Sequence, residues 1–355
     1  MKVLFVESDQ PVEYNCSNWR CMVPNRALLK AGVHSAVVRI EDWSAGEPEC
    51  EELTEAADIV FIQRDVFNEV LHRIVQWKQR GKILVVDLDD AYEHMTENTG
   101  CPSYELWANG RIKQDDKWMQ LHPKPIDQLK WGVHLTGAVS SPSKVICEDW
   151  KEYAKTYLFP NYIDGSIYRR VENYHPDNTV LIGWGGSMTH LYSWQGSGLA
   201  EACRRIMKEY PKVNLYLIGD PRVQKFVDAA PSRKMAVGWV SGAEFGQRLC
   251  VADIGVIPLC GEYDRRRSWI KTLEYTILGI PWIGSNMEPN RDIKTGMLID
   301  NTVDAWHRAL TIYLSDLDRF KEQAKENMAI GEALTVDNNV DNLLKLFSKI
   351  IEENS

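Results

Sequence analysis

Short apolar runs rich in Val, Ile and Leu alternate with amphipathic stretches along the whole chain. Residues 3–6, 35–40, 59–63 and 83–86 are such runs, each bounded by polar residues, and they predict strands. Residues 66–79 place Val66, Val70, Ile74 and Trp77 at helical spacing, and Gly81 supplies a residue suited to ending a helix. Residues 138–140 and 157–159 predict the last strands of a first sheet. A second series follows at 180–184, 213–218, 235–240, 254–258, 281–284 and 297–299, each pair separated by a helical pattern. Alternation of this kind builds βαβ units, so the expected fold class is α/β, with two doubly wound Rossmann-like domains. Residues 93–120 show no clean period and read as a loop over a cleft or a short helical insertion. Residues 340–351 are amphipathic, which predicts a helix docked on the body.

Phe159-Pro160-Asn161-Tyr162-Ile163-Asp164 and the polar run after it form a turn-rich interruption. It divides the chain into an acceptor-side domain at 1–164, a nucleotide-binding domain at 165–335 and a C-terminal helix at 336–355. In two such domains the strand C-terminal ends face one interdomain crevice, so the chemistry belongs in the loops after the strands.

Composition removes several classes of function. The chain of 355 residues is 44% hydrophobic and 26% charged, too apolar for disorder and long enough for two domains. Its formal net charge of −9 is lopsided: residues 1–164 hold 18 Lys/Arg against 26 Asp/Glu, the rest 23 against 24. An acidic first domain disfavours contact with a phosphate backbone. The eight cysteines contain no C-x-x-C pair, so neither a zinc ribbon nor a dense disulfide framework is supported. MKVLFVESDQ is too short in its apolar run for a signal peptide, and no stretch approaches a membrane span. A cytoplasmic location is expected.

The first strand is followed by Glu7-Ser8-Asp9-Gln10-Pro11, without G-x-G-x-x-G, and neither a Walker A loop nor G-x-S-x-G occurs. The second domain opens on Gly185-Gly186-Ser187-Met188-Thr189-His190, a glycine turn before a helix, where backbone N–H groups can approach an anion or simply form a tight turn. His190 suits a phosphate or sugar hydroxyl and equally a helix cap. Arg265, Arg266 and Arg267 precede Ser268, an N-cap or first-turn residue, with Lys271 and Glu274 one and two turns on. A phosphate at Ser268 gives Lys271 and the arginines a purpose, and Glu274 then suits ribose hydroxyls; the arginines taken alone read rather as an exposed charged helix start. Asp87-Leu88-Asp89-Asp90 ends the fourth strand; sugar or acceptor contact is preferred there over a metal, and no metal ligand is assigned. Arg20 and His94, the latter a candidate general base, complete the acceptor side. Trp131, Trp184 and Trp239 read as core residues more than as sugar platforms.

Together these residues resemble a glycosyltransferase of the two-Rossmann-domain (GT-B) type, in the group that includes the retaining family 4 enzymes. The resemblance rests on Pro160-Asn161-x-x-Asp164, on Gly186-Ser187-x-Thr189-His190, and on Ser268-x-x-Lys271-x-x-Glu274-Tyr275 with Gly279-x-Pro281. It implies metal-independent transfer of a sugar from a nucleoside diphosphate donor, UDP or GDP, to a hydroxyl of a glycan or small molecule, with retention and no further cofactor. Donor residues would be Gly185, Gly186, Ser187, His190, Gly238, Trp239, Arg267, Ser268, Lys271 and Glu274; catalytic ones Asp89, Asp90 and Lys271; acceptor-side ones Arg20, Asp87 and His94. Arg266 stands where the family has the first Glu of E-x7-E, and the family's Arg and Lys after the opening glycine are absent. The rival readings are transfer to modified viral DNA and a non-catalytic nucleotide-sugar binding protein.

Overall fold

A computed structural model describes residues 1–9, 15–95, 102–171, 175 and 178–355. Gln10 and Pro11, residues 96–101 of the aperiodic region and most of the polar run after the crossover lie outside the described residues. The first lobe holds β1 (Lys2–Glu7), β2 (His34–Arg39), β3 (Ile59–Gln63), β4 (Leu84–Asp87), a hairpin of β5 (Arg111–Gln114) and β6 (Lys117–Gln120), then β7 (Ala138–Ser141) and β8 (Lys155–Leu158). The second holds β9 (Val180–Gly186), β10 (Val213–Gly219), β11 (Lys234–Val237), β12 (Ile254–Ile257), β13 (Trp282–Ser285) and β14 (Met297–Ile299). Each lobe is a six-stranded parallel sheet, in the orders β2-β1-β3-β4-β7-β8 and β11-β10-β9-β12-β13-β14.

Period-two alternation divides each strand between two cores. Leu4 and Val6 pack on one face with Trp43, Ile74 and Trp77, while Val3 and Phe5 pack on the other. In the second lobe Leu215 and Leu217 face one cluster and Tyr216 and Ile218 the opposite one. Strands buried on both faces read as continuous apolar runs, which is why they stand out in the sequence.

The helix Val340–Asn354 covers the first sheet from the far end of the chain. Its Phe347 sits 4.8 Å from Phe61 and 5.5 Å from Phe159, ring centre to ring centre. Burying one such ring contributes about 1.5–3 kcal/mol. The two passages between lobes touch, with Ile163 paired to Thr335 and its carbonyl accepting from the Val336 amide at 2.9 Å.

Two local expectations need correction. The helix expected from residue 66 begins at Glu69, because Asn68 takes φ 52° and Val66 closes a tight turn onto Arg64. The aperiodic region does contain a short helix, Pro102–Trp107, but also the unexpected β5–β6 hairpin, turned at Asp115 and Asp116, both at positive φ. Its alternation of Ile, Trp and Met with Lys and Gln is exposed along β6 and never covers a core, so no apolar run marks it.

Sheet order locates the cleft. Connections reverse direction between β1 and β3 in one lobe and between β9 and β12 in the other. Such switch points open a crevice at the strand C-terminal ends. Asp9 and Arg64 follow the first pair; Ser187 and Leu259 follow the second.

Candidate functional site

A cleft of about 270 Å³ lies between the lobes, lined by residues of both switch points. Of the expected donor residues it brings together Gly186, Ser187, His190, Trp239, Arg267, Ser268, Lys271 and Glu274; Asp89 and Asp90 face them from the first lobe. Gly185 and Gly238 do not line it, nor do Asp87 and His94.

The opening glycines are the last two residues of β9, paired with Ile218 and Gly219, and not a turn. A Cβ on Gly185 would stand 2.9 Å from the Phe245 ring, and one on Gly186 2.5 Å from Trp184. Close packing therefore requires glycine here, whatever binds above. Beyond them the one-turn helix Met188–His190 and the helix Leu191–Gly196 follow directly. His190 occupies the cap position of the second without capping it. Its ring is 7% exposed, meets Trp184 edge-on and makes no hydrogen bond among the described residues. Burial, then the Arg267 and Lys271 charges, hold its pKa well below the ordinary value, so the ring is neutral at pH 7.

The three arginines part company. Arg265 turns to Glu288 at the surface. Arg266 reaches across the lobes to Asp149 at 2.6 Å and back to Glu262 at 2.6 Å, outside the cleft lining. Arg267 alone enters the cleft: Nε donates to Asp264 at 2.7 Å, Nη2 to the Thr189 carbonyl and hydroxyl, and Nη1 lies 3.6 Å from Asp90. One guanidinium thus ties the segment after β9 to the carboxylates opposite.

Lys271 and Glu274 lie one turn apart on the helix Ile270–Ile277. Glu274 is 1% exposed, accepts from the Tyr168 hydroxyl at 2.9 Å and from the Lys271 ammonium at 3.3 Å. Ser268 stands before the cap position, which is Trp269, so the expected N-cap role is replaced. Its hydroxyl instead accepts from the Asn161 side-chain amide at 3.0 Å. Asn161 also accepts from Arg20 through its side chain at 2.7 Å and from the Trp269 indole through its backbone at 2.8 Å. It is a three-way joint at the crossover. Trp184 is core, as expected, but Trp131 and Trp239 are exposed, and Trp239, 48% exposed, stands at the cleft rim.

On the first-lobe side, Arg20 is 1% exposed and spent on structure. Its Nε and Nη2 form a bidentate pair with Asp87 at 2.8 and 2.7 Å, and Nη1 donates to Phe159 and Asn161. Asp89 accepts from the Tyr92 hydroxyl at 2.5 Å and from Arg64 at 3.1 Å. Asp90 is less engaged; burial, aided by the Asp89 charge and opposed by Arg267, raises its pKa to about 6. Asp9, Cys16 and Trp19 also line the cleft, and sequence reasoning assigned none of them. Asp9 and Asp65 join Asp89 around the single Arg64, and Asp65 is pushed up to about 6 by burial and its acidic neighbours. No local motif marks this group, because only the β2-β1-β3 order brings residues 9 and 64 together.

Among the described residues, the side chains whose ligand atoms gather closely enough for a metal ion are Glu93, His94 and Asp149. None lines the cleft, and Asp149 is already the partner of Arg266. No described helix is long and apolar enough to cross a membrane.

No protein-family model matches the chain, and no curated protein matches it in sequence. Solved structures do. Sucrose-phosphate synthase from Thermosynechococcus elongatus superposes with TM-score 0.66 at 12% identity, over 99% of this chain and 99% of that one. HepE from Anabaena, solved with UDP and glucose, gives 0.64 at 13% identity, over 98% and 100%. A protein from Listeria monocytogenes described as a UDP-N-acetylglucosamine 2-epimerase gives 0.56 at 16% identity, over 99% and 97%. Likeness at such identities is likeness of fold: two Rossmann-like α/β lobes facing a cleft, the GT-B arrangement.

Proposed function

We propose that the chain transfers a glycosyl group from a nucleoside diphosphate sugar to an acceptor hydroxyl, without needing a metal ion. The observation that carries this reading is the division of charge across the cleft. Arg267 and Lys271, against the single carboxylate of Glu274, line the second lobe with the neutral His190, while Asp9, Asp89 and Asp90, against the single guanidinium of Arg20, line the first. A leaving diphosphate needs cations and N–H donors where its charge develops, and fixed groups supply them without reorganisation. Arg267 and Lys271 meet that need; His190, already neutral, donates one N–H. Glu274 takes the ribose hydroxyls and Trp239 lies against the base.

Opposite, Asp90 is ionised above about pH 6 and open to the cleft, so it can accept the proton of the attacking hydroxyl. Retention is what the family 4 resemblance implies; a base placed across the sugar from the leaving group would give inversion. The anomeric configuration of the first product, read by NMR, separates the two.

The donor site is tested by thermal shift against UDP, GDP, ADP and CDP and their sugars, since a ligand at 100 Kd stabilises by about 2.7 kcal/mol. Stabilisation by one diphosphate and its sugar, reduced in Lys271→Met, is expected. No response to any of them refutes the reading. Because the fold also houses a protein described as an epimerase, products are analysed with and without acceptor.

A further inference from the structure

The acceptor wall of the cleft carries more negative charge than it needs to hold itself together. Three carboxylates, Asp9, Asp65 and Asp89, surround one guanidinium, that of Arg64. Asp90 adds a fourth carboxylate beside them, shared with Arg267 of the other lobe. The other cation on this wall, Arg20, is saturated by Asp87, the Phe159 carbonyl and Asn161. Arg64 directs Nη2 to Asp9, Nη1 to Asp89 and Asp9, and Nε toward Asp65. Neither guanidinium has a face left for a phosphate.

An acidic group alone does not make a binding site. The cavity and His190, 7% exposed and unpartnered among the described residues, are the independent signs that this cleft holds a ligand. Resting on the glycosyl-transfer reading, we propose that the acceptor half of the cleft selects a polyhydroxylated acceptor without phosphate or other anionic groups. Hydroxyl groups donate to carboxylates, so a sugar or cyclitol satisfies Asp89 and Asp90 through their remaining lone pairs, while Asp9, already accepting from Arg64 and from the Ser17 amide and hydroxyl, contributes mainly its charge. An ammonium substituent gains further attraction. A phosphorylated acceptor meets two uncompensated negative charges and no unpaired cation, and it is repelled.

The same field acts on the cleft thiol: burial, then Asp89 and Asp9, push the Cys16 pKa well above its ordinary value.

Two measurements on the full chain test the proposal. In the first, transfer from UDP-glucose and GDP-glucose to glucose, glucosamine and glucose 6-phosphate is followed by mass spectrometry. At least tenfold preference for the unphosphorylated acceptors is expected; equal or faster transfer to glucose 6-phosphate overturns the proposal. The second needs no turnover, so it stands even if the glycosyl-transfer reading fails. Cys16 is modified with methanethiosulfonates carrying either a trimethylammonium or a sulfonate group, with Cys16→Ser as control. Two net charges near the thiol favour the cationic reagent by about tenfold at low salt, less as salt screens them. Asp9→Asn narrows the ratio. Equal rates, or faster reaction of the sulfonate reagent, overturn the proposal.

Discussion

Replacing Lys271 by methionine removes the charge and keeps most of the side-chain volume, so it isolates the ammonium's contribution to diphosphate binding. An ammonium about 4 Å from a phosphate oxygen contributes about 4 kcal/mol at the effective dielectric of a partly buried site. Lys271 does not deliver all of that, because the Glu274 carboxylate lies 3.3 Å away and cancels part of its field. Roughly 1–2 kcal/mol should remain, a loss of about 5–30-fold in affinity. Isothermal titration with the diphosphate found in the thermal screen measures it. The variant should also fold less stably, because Glu274, 1% exposed, is left with Tyr168 alone. Adding Glu274→Gln removes the stranded charge, so stability returns, while affinity stays low and falls further with the weakened ribose contact. Unchanged affinity in Lys271→Met, or recovery of both in the double variant, refutes the placement of the diphosphate.

Other expectations follow from the same geometry. Because His190 is neutral in the free protein and a bound diphosphate favours its charged form, binding should take up a proton and strengthen as pH falls through the ring's pKa in the complex. Titration in buffers of different ionisation enthalpy reads the uptake, and His190→Asn abolishes it. The transfer rate should rise with pH through about 6 as Asp90 ionises, and Asp90→Asn should lower it by roughly 10²–10⁴ and flatten the profile. Asp87→Ala strands the buried Arg20 charge and should cost about 3–5 kcal/mol in urea unfolding, with little effect on diphosphate affinity in the protein that remains folded. Gly186→Ala drives a methyl to 2.5 Å from Trp184 and should cost about 1–3 kcal/mol.

Most of the fold was legible because its strands are buried on both faces. The runs at Ile59–Gln63 and Met297–Ile299 coincide with observed strands, most others shift by a residue or two, and the run at 235–240 overshoots β11 by three. The hairpin was not legible, since Lys and Gln share its strands with the apolar residues. Of the site, the second-lobe half was legible because Ser268, Lys271 and Glu274 are neighbours in sequence. Its details were not: three consecutive arginines look alike in a string, yet their partners send one to the surface, one across the lobes and one into the cleft. The first-lobe half was hidden more deeply. Asp9, Arg64 and Asp89 come from three separate loops, and strand order, which no local pattern encodes, makes them neighbours.

The helix Val340–Asn354, which covers one face of the first sheet, also bears on the order of events at the ribosome. The first lobe's strands are all made by Leu158, but the aromatic rings Phe5, Phe61 and Phe159 wait for Phe347 to cover them. At 5–20 residues per second that interval lasts roughly 10–40 s, during which a six-stranded sheet has one apolar face covered only in part, by the helix Val23–Lys30. Nascent chains stalled before Val340 should accordingly be the ones that chaperones hold and proteases cut.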